Sequence, residues 1–415
     1  MKKVNEILNS ELKEVKPSEK EIEKINKETN EIIEKLEKSI KKKRIIAQVF
    51  IGGSLAKNTI IKKDRYDIDI FVRFDKKYED NKISDLLSEL LKKSRLKAER
   101  IHGSRDYFRL KRKNLFEIIP TCKIKKPEEA KNVTDLSYFH VSYVLNCIKK
   151  NKKLADEIIL SKAFCYCQKC YGAESYIKGF SGYALELLIC YYKSFMNFIK
   201  AIAKFKQGEQ IVIDAGKFYK NKQEILLNLN EAKISSPIVF VDPTFKERNA
   251  LAALSKETFL RFQESCIKFL KKPGRKFFEI QKINEKKFNL ILEARTNKQE
   301  GDIAGSKLLK FFNFVSRNID KYFLIKNKDF EYDGKKKAKY YFNMKKRKEI
   351  IYSGPVINKI ENLLAFKQAH KNVFIKQGKS YAREKVNINI KKLIILIDKR
   401  VMRDMGIIEI RGIKS

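Results

Sequence analysis

The strongest constraint on this chain is a pair of acids, Asp67 and Asp69, set one residue apart in the run 66–74, which alternates polar and apolar residues as a half-buried strand does. Successive side chains of a strand point to opposite faces, so both carboxylates share one face and Ile68 takes the other. Like charges held that close repel, and they are most comfortable with hard cations between them and a phosphate. Mg²⁺ suits this position because it takes oxygen ligands and keeps part of its coordination for substrate. About 13 residues upstream of Asp67 lies Gly52-Gly53-Ser54-Leu55-Ala56-Lys57-Asn58-Thr59. Glycine there lets backbone N–H groups approach a phosphate, and Ser54 stands where a helix would start. Each half has a plain reading, a solvent-facing sheet edge or a simple turn. At this interval the two together point to a small α/β domain that holds a metal-bound triphosphate.

The surroundings extend that domain. Residues 45–51 form a β-rich run broken by Gly52 and Gly53. Residues 107–111 and 115–120 flank a turn-like segment and are expected to pair as a hairpin on the same sheet. Glu117, flanked by Phe116 and Ile118, is the candidate third carboxylate, with an edge-strand surface Glu as the alternative. Before the sheet, Ile and Leu recur at spacings of three and four across 3–44, an amphipathic helix interrupted near Pro17 and restarted by the capping-box pair Ser18 and Glu21.

The Gly53-Ser54 to Asp67-Ile68-Asp69 segment resembles the polymerase-beta-like nucleotidyltransferase superfamily. Further motifs follow in order: Asp156-Glu157 to Lys162, Tyr171-Gly172-Ala173-Glu174, Gly179-Phe180-Ser181-Gly182-Tyr183 with Glu186-Leu187-Leu188, and Val241-Asp242-Pro243 with Arg248-Asn249. With them the chain resembles the archaeal, class I CCA-adding enzymes, which are tRNA nucleotidyltransferases. That resemblance implies template-independent addition of C, C and A to the tRNA 3′ end from CTP and ATP, with two Mg²⁺ ions. It implies Asp67, Asp69 and Glu117 as catalytic metal ligands, and Gly53, Ser54, Lys57, His140, Lys162, Tyr171 and Arg248 around the nucleotide. The superfamily usually has Asp at the third acid position, and Glu117 adds about 1.5 Å of reach. Each nucleotide contact has a plainer alternative: a solvated Lys162, a half-buried core Tyr171, an Arg248 paired with Glu247 or Asp242. At the level of function the alternatives are an A-adding or CC-adding RNA-tailing enzyme and a non-catalytic RNA-binding relative.

The expected architecture is α+β and multidomain: a catalytic head (1–140), a mainly helical neck (141–272) with one short strand at 238–241, and an α+β body with a short tail (273–415). In the body, 288–293 reads as a strand, 305–323 as a helix and 330–344 as a hairpin around Asp333 and Gly334. Lysines interleave with aromatics there, so Lys336, Lys337, Tyr341, Lys345 and Lys346 are candidate RNA contacts, the alternative being a solvated hairpin with an aromatic inner face. Lys plus Arg number 92 against 51 Asp plus Glu, a formal net charge of +41 that suits a polyanion, although part of it is general lysine richness.

Seven cysteines, an odd number without an N-terminal apolar signal, argue against a secreted disulfide framework and for a cytoplasmic protein. Cys165, Cys167 and Cys170 lack a second pair at zinc spacing and are read as free thiols. No stretch approaches the ~20 apolar residues of a membrane span, and whether the chain works alone or as a homodimer is left open.

Overall fold

The computed structural model describes residues 2–206, 208–389 and 399–414. The chain divides into two compact units, Met1–Gln281 and Lys282–Ser415. The first unit holds two large hydrophobic cores, one for the head and one for the neck, and a small cluster around Ile225, Leu229, Val239 and Val241.

Helix α2 (Glu19–Lys42) begins at the expected capping box, with Glu21 N–H donating to Ser18 Oγ and Ser18 N–H to Glu21 Oε2. Its stripe of Ile25, Ile32, Leu36 and Ile40 packs into the head core. Helix α1 (Lys2–Val15) does not: Pro17 turns the chain, and Leu8 joins the neck core instead. Two ion pairs accompany that packing, Lys16 to Asp156 and Arg275 to Glu11, both 2.7 Å.

The head sheet runs β1 (Ala47–Ile51), β2 (Asp67–Phe74), β5 (Leu115–Cys122), β4 (Tyr107–Lys111) and β3 (Glu99–Ile101) in spatial order. β2 and β5 pair in parallel, and the other neighbours are antiparallel, including the expected 107–111 hairpin with β5. Ile68, Ile70, Val72 and Phe74 point into the core with Leu87, Leu90 and Leu91 of α4 (Ile83–Lys93). Between β1 and β2 stands the short helix α3 (Gly53–Ala56).

The neck core is built by α5 (Ser137–Lys150), α6 (Leu154–Cys167), α7 (Gly182–Tyr192), α8 (Phe195–Ala203) and, further along the chain, α11 (Lys256–Lys271). Phe164 sits among Phe195, Phe262, Phe269, Phe277 and Phe278, ring centroids 5.3–6.2 Å away. Phe277 and Phe278 lie beyond the expected boundary at 272, and their burial carries the first unit on to Gln281. Cys165 and Cys170 are fully buried in this core, and burial pushes the Cys170 thiol up to about 12.

The neck is less helical than expected. β6 (Ile211–Asp214), β7 (Ile238–Asp242) and β8 (Phe245–Asn249) form a three-stranded sheet in that order. β6 has four residues and β8 reads Phe-Lys-Glu-Arg-Asn, so neither shows the alternation that marks a strand. Two short helices, α9 (Lys222–Asn228) and α10 (Glu231–Ile234), lie between β6 and β7 in the chain.

The second unit forms a sheet ordered β10 (Phe323–Tyr332), β11 (Lys337–Lys346), β9 (Leu290–Thr296), β15 (Ile407–Lys414), with the buried face of α12 (Asp302–Tyr322) packed on it. The hairpin turns at Asp333 and Gly334, where Gly334 has φ +76°. A second sheet comprises β12 (Glu349–Val356), β14 (Lys379–Lys385) and β13 (Val373–Lys376), with α13 (Ile360–Ala369) preceding β13. The expected tail from Leu393 falls partly outside the described residues. Its last strand, β15, pairs with β9, so it completes the body sheet. No helix among the described residues is long and apolar enough to cross a membrane.

Candidate active site

Strand periodicity works as expected on β2: Ile68 is fully buried, while Asp67 and Asp69 lie on the opposite face. The parallel register sets Glu117 of β5 beside Asp69. Burial, then the Glu117 carboxylate, then Asp67 push the Asp69 carboxyl up to about 7, against the pull of Lys57 and Lys162. Glu117 accepts a hydrogen bond from Arg109 at 3.0 Å, and Asp67 lies 3.4 Å from Lys63 Nζ.

Gly53 makes the close approach to this pair. Its φ is +56°, and a Cβ there would stand 1.8 Å from Asp69 Oδ2, so a side chain here would strain the backbone and push the carboxylate aside. The donor set fits a hard divalent cation. It is all oxygen, it is cradled by a residue without a side chain, and its half-buried member, Asp69, is driven toward protonation by desolvation and by like charges that a cation would relieve. A tighter acidic group lies elsewhere: the ligand atoms of Asp80, Cys122 and Asp135 are within 4.8 Å of one another. There the Arg105 guanidinium already binds both carboxylates, which makes it an ion-paired knot of the head.

Beneath the acids lies a second buried charge cluster. Lys57 Nζ donates to Glu186 Oε2 at 2.6 Å, and Lys162 Nζ donates to Glu186 Oε1 at 2.8 Å and to Thr59 Oγ1 at 2.9 Å. All four residues are nearly out of solvent. Burial pushes the Glu186 carboxyl up, but the two ammonium groups outweigh it and hold it at about 2. Burial lowers the Lys162 ammonium from its ordinary value.

A third cluster centres on Asp242, which is fully buried at the end of β7. It accepts from the Tyr183 hydroxyl at 3.0 Å, from Thr244 N–H and Oγ1 at 2.9 and 2.7 Å, and from Arg248 at 2.5 Å. His140 Nε2 lies 3.3 Å from the same carboxylate, and the His140 ring stacks on Tyr183 with centroids 4.0 Å apart. Burial raises the Asp242 carboxyl, but His140, Arg248 and the Thr244 N–H together hold it well below its ordinary value.

These groups frame a cavity of about 520 Å³, within the usual range for a small-ligand site. Gly53, Ser54, Lys57, Asp67, Asp69, His140, Lys162 and Tyr171 line it, so the structure brings together eight of the ten expected head and neck site residues. Glu117 and Arg248 are not in the lining; Glu117 stands beside Asp69 by register, and Arg248 is tied to Asp242. The motifs at 171–174 and 179–183 meet through a bridge between Tyr171 and Phe180. Gly182 leaves room for the Tyr171 hydroxyl, which a Cβ would approach to 2.9 Å.

Lys57 and Lys162 line the cavity and are also buried against Glu186, which sets aside the solvated alternative for Lys162; the countercharge role of Glu186 is one that sequence reasoning missed. The signal was present, because an acid inside the apolar run of α7 is out of place unless it is paired. Of the alternatives for Arg248, the pairing with Asp242 is the one present, while the Tyr183 and Thr244 bonds to the same carboxylate were not foreseen.

In the second unit, Lys337, Lys345 and Lys346 are exposed and Lys336 half-buried. Tyr341 is a correction: it is 1% exposed, its ring packs against Phe288, and its hydroxyl donates to Glu331 at 2.8 Å. It lies on the face of β11 opposite α12, where Phe288 and Ile291 cover it, so its ring is not available to stack on a base.

Two family profiles match the chain. One is the "Second Messenger Oligonucleotide or Dinucleotide Synthetase domain" over residues 1–136, and the other is "tRNA nucleotidyltransferase, second domain" over residues 156–279. The chain is similar to the CCA-adding enzyme of Nanoarchaeum equitans, 37% identical over 310 residues that cover 73% of this chain and 74% of that protein. It is similar to the CCA-adding enzyme of Methanocaldococcus jannaschii, 30% identical over 398 residues, 91% of this chain and 87% of that protein. Among solved structures, a cytoplasmic RNA terminal U-transferase aligns with TM-score 0.52 at 16% identity, over 68% of this chain and 100% of that one. Cid1 in complex with its short product ApU aligns with TM-score 0.53 at 14% identity, over 68% and 99%. At such identity these structures show a shared fold.

Proposed function

The chain belongs to the CCA-adding enzymes, and from that premise we propose that it adds C, C and A to the 3′ end of tRNA from CTP and ATP without a nucleic-acid template. The RNA 3′-hydroxyl attacks the α-phosphate, a phosphodiester bond forms, and pyrophosphate leaves. Asp67, Asp69 and Glu117 would hold two divalent cations, Mg²⁺ by the all-oxygen donor set, which supply activation of the hydroxyl and charge neutralisation of the leaving group.

The protein's own groups position the reactants. Gly53 and Ser54 let backbone approach the triphosphate. Lys57 and Lys162 place positive charge on the cavity floor, and Tyr171 offers a ring and a hydroxyl beside them. His140 and Tyr183 form a stacked pair on the neck wall, and Arg248, oriented by Asp242, can present paired donors to a base edge. Lys336, Lys337, Lys345 and Lys346 add phosphate contacts for the RNA.

The observation that most supports the reading is the parallel register that puts Glu117 beside Asp69, together with Asp67 and Asp69 in the lining of a cavity that Lys162 and Tyr171 also line. The test is extension of a tRNA transcript lacking its CCA, with Mg²⁺ and CTP alone, ATP alone or both, resolved to single nucleotides. Two C residues with CTP and a further A only when ATP is present is the expected result. A-only or C-only addition would make the protein a specialised tailing enzyme, and no addition despite tight binding would make it a binder.

A further inference from the structure

The buried cluster beneath the acids does more than supply charge, because its ionic bonds run between the head and the neck. Lys57 and Thr59 belong to the loop after α3, Lys162 to α6 and Glu186 to α7. Lys162 places three donor contacts inside the protein, on Thr59 O at 3.2 Å, Thr59 Oγ1 at 2.9 Å and Glu186 Oε1 at 2.8 Å. Glu186 accepts on both oxygens, from Lys57 at 2.6 Å on one, and from Lys162 and from the Thr59 hydroxyl at 3.1 Å on the other. Only an ionised carboxylate accepts at both heads; a carboxamide of the same shape would turn an N–H toward one of the ammonium groups.

The nucleotide cavity has the same two sides. Gly53, Ser54 and Lys57 come from the head, and Lys162, Tyr171 and Gly182 from the neck. A triphosphate gripped from both walls needs them at one separation, since misplacement by an ångström costs rate. Lys57 and Lys162 would also repel each other without an anion between them.

We propose that Glu186 is a positioning residue for nucleotidyl transfer, latching the 57–59 loop to α6 and α7 and so setting the width of the nucleotide cavity and the place of Lys57. The proposal rests on the reaction proposed above. It separates the side chain's effect on nucleotide from any effect on RNA, because the hydrogen bonds of the latch lie on the cavity floor.

The experiment measures initial rates with CTP and tRNA varied in turn, for the wild type, Glu186→Gln, Glu186→Asp and Thr59→Val, with RNA affinity measured separately by gel shift. Glu186→Gln is expected to raise the KM for CTP by about 10- to 100-fold, as loss of a charge-assisted contact does, with RNA affinity unchanged. Glu186→Asp, which keeps two acceptor oxygens on a shorter stem, restores part of the loss. A folded Glu186→Gln whose KM for CTP stays within about twofold of the wild type, or whose CTP and RNA terms worsen equally, overturns the latch. If Glu186→Gln does not fold, Thr59→Val decides: it removes the hydroxyl from the cluster but keeps both ion pairs, and an unchanged KM for CTP overturns the proposal. A wild type that extends no tRNA would overturn the reaction itself, whatever Glu186 does.

Discussion

The two units of this chain treat charge in opposite ways. In the unit ending at Gln281, Lys57, Arg105, Asp135, Lys162, Glu186 and Asp242 are all buried; in the unit beginning at Lys282, the buried polar residues among those described are Thr296, Ser316 and Ser380, none of them charged. Removing an ion from water costs several kcal/mol even after relaxation, so a protein retains such groups where they build something. In the first unit Lys57, Lys162 and Glu186 line one cavity, Asp242 anchors Tyr183 of its wall, and Arg105 with Asp135 knots the head; both family profiles fall within this unit. The second unit keeps its lysines in solvent, where they cost little and can meet a polyanion.

The comparison breaks most readily at the acids. Asp69→Ala should lower nucleotide addition by on the order of a thousandfold or more, the several kcal/mol that metal-held charge stabilisation is worth, while salt-sensitive RNA binding persists. Single-turnover extension beside a gel shift checks it, and an active Asp69→Ala protein would move the chemistry out of the first unit. Next in size is Glu186→Ala, which strands two buried ammonium groups. It should cost about 3–5 kcal/mol in urea unfolding, confined to the transition of the first unit.

The same carboxylate sharpens the comparison by pH. Its folded pKa of about 2 lies below the ordinary 4.5, so its contribution is complete above pH 4.5 and is lost as pH falls from there toward 2. Over that window, far-UV circular dichroism melts of the wild type should lose more stability than those of Glu186→Gln. Gly53→Ala is smaller in energy but sits on the chemistry. The left-handed backbone costs about 1–2 kcal/mol, and the new methyl displaces Asp69, so we expect addition to slow by about 10- to 100-fold without loss of RNA binding.

The smallest effects belong to the second unit. Replacing Lys345 and Lys346 by Ala should weaken RNA binding a few-fold and flatten the slope of log Kd against log salt by about 1–2, with kcat at saturating RNA unchanged. An unaltered salt slope would remove these lysines from the RNA surface.

Much of the head was legible because its signals are local. The two-residue period of β2 set the faces of Asp67, Ile68 and Asp69, and the 107–120 hairpin followed from a turn between two apolar runs. The neck sheet was not, because β6 is too short and β8 too charged to show a period. Tyr341 was misassigned for a related reason. Spacing sets Tyr341 on the face of β11 turned away from α12, but it cannot show that Phe288 and Ile291 cover the ring there.

By itself, the sequence determined the residue types at the reactive face, the strand that carries two of the three acids, the overall basic charge and the family resemblance, all of which are properties of neighbours along the chain. Only the tertiary structure decided what those residues touch. Glu186 lies 129 residues from Lys57 and 24 from Lys162, and Asp242 lies 59 from Tyr183. Pairing at such separations depends on how separate elements pack, and burial then turns a nearby opposite charge from a weak surface contact into a strong constraint on where the lysines can stand.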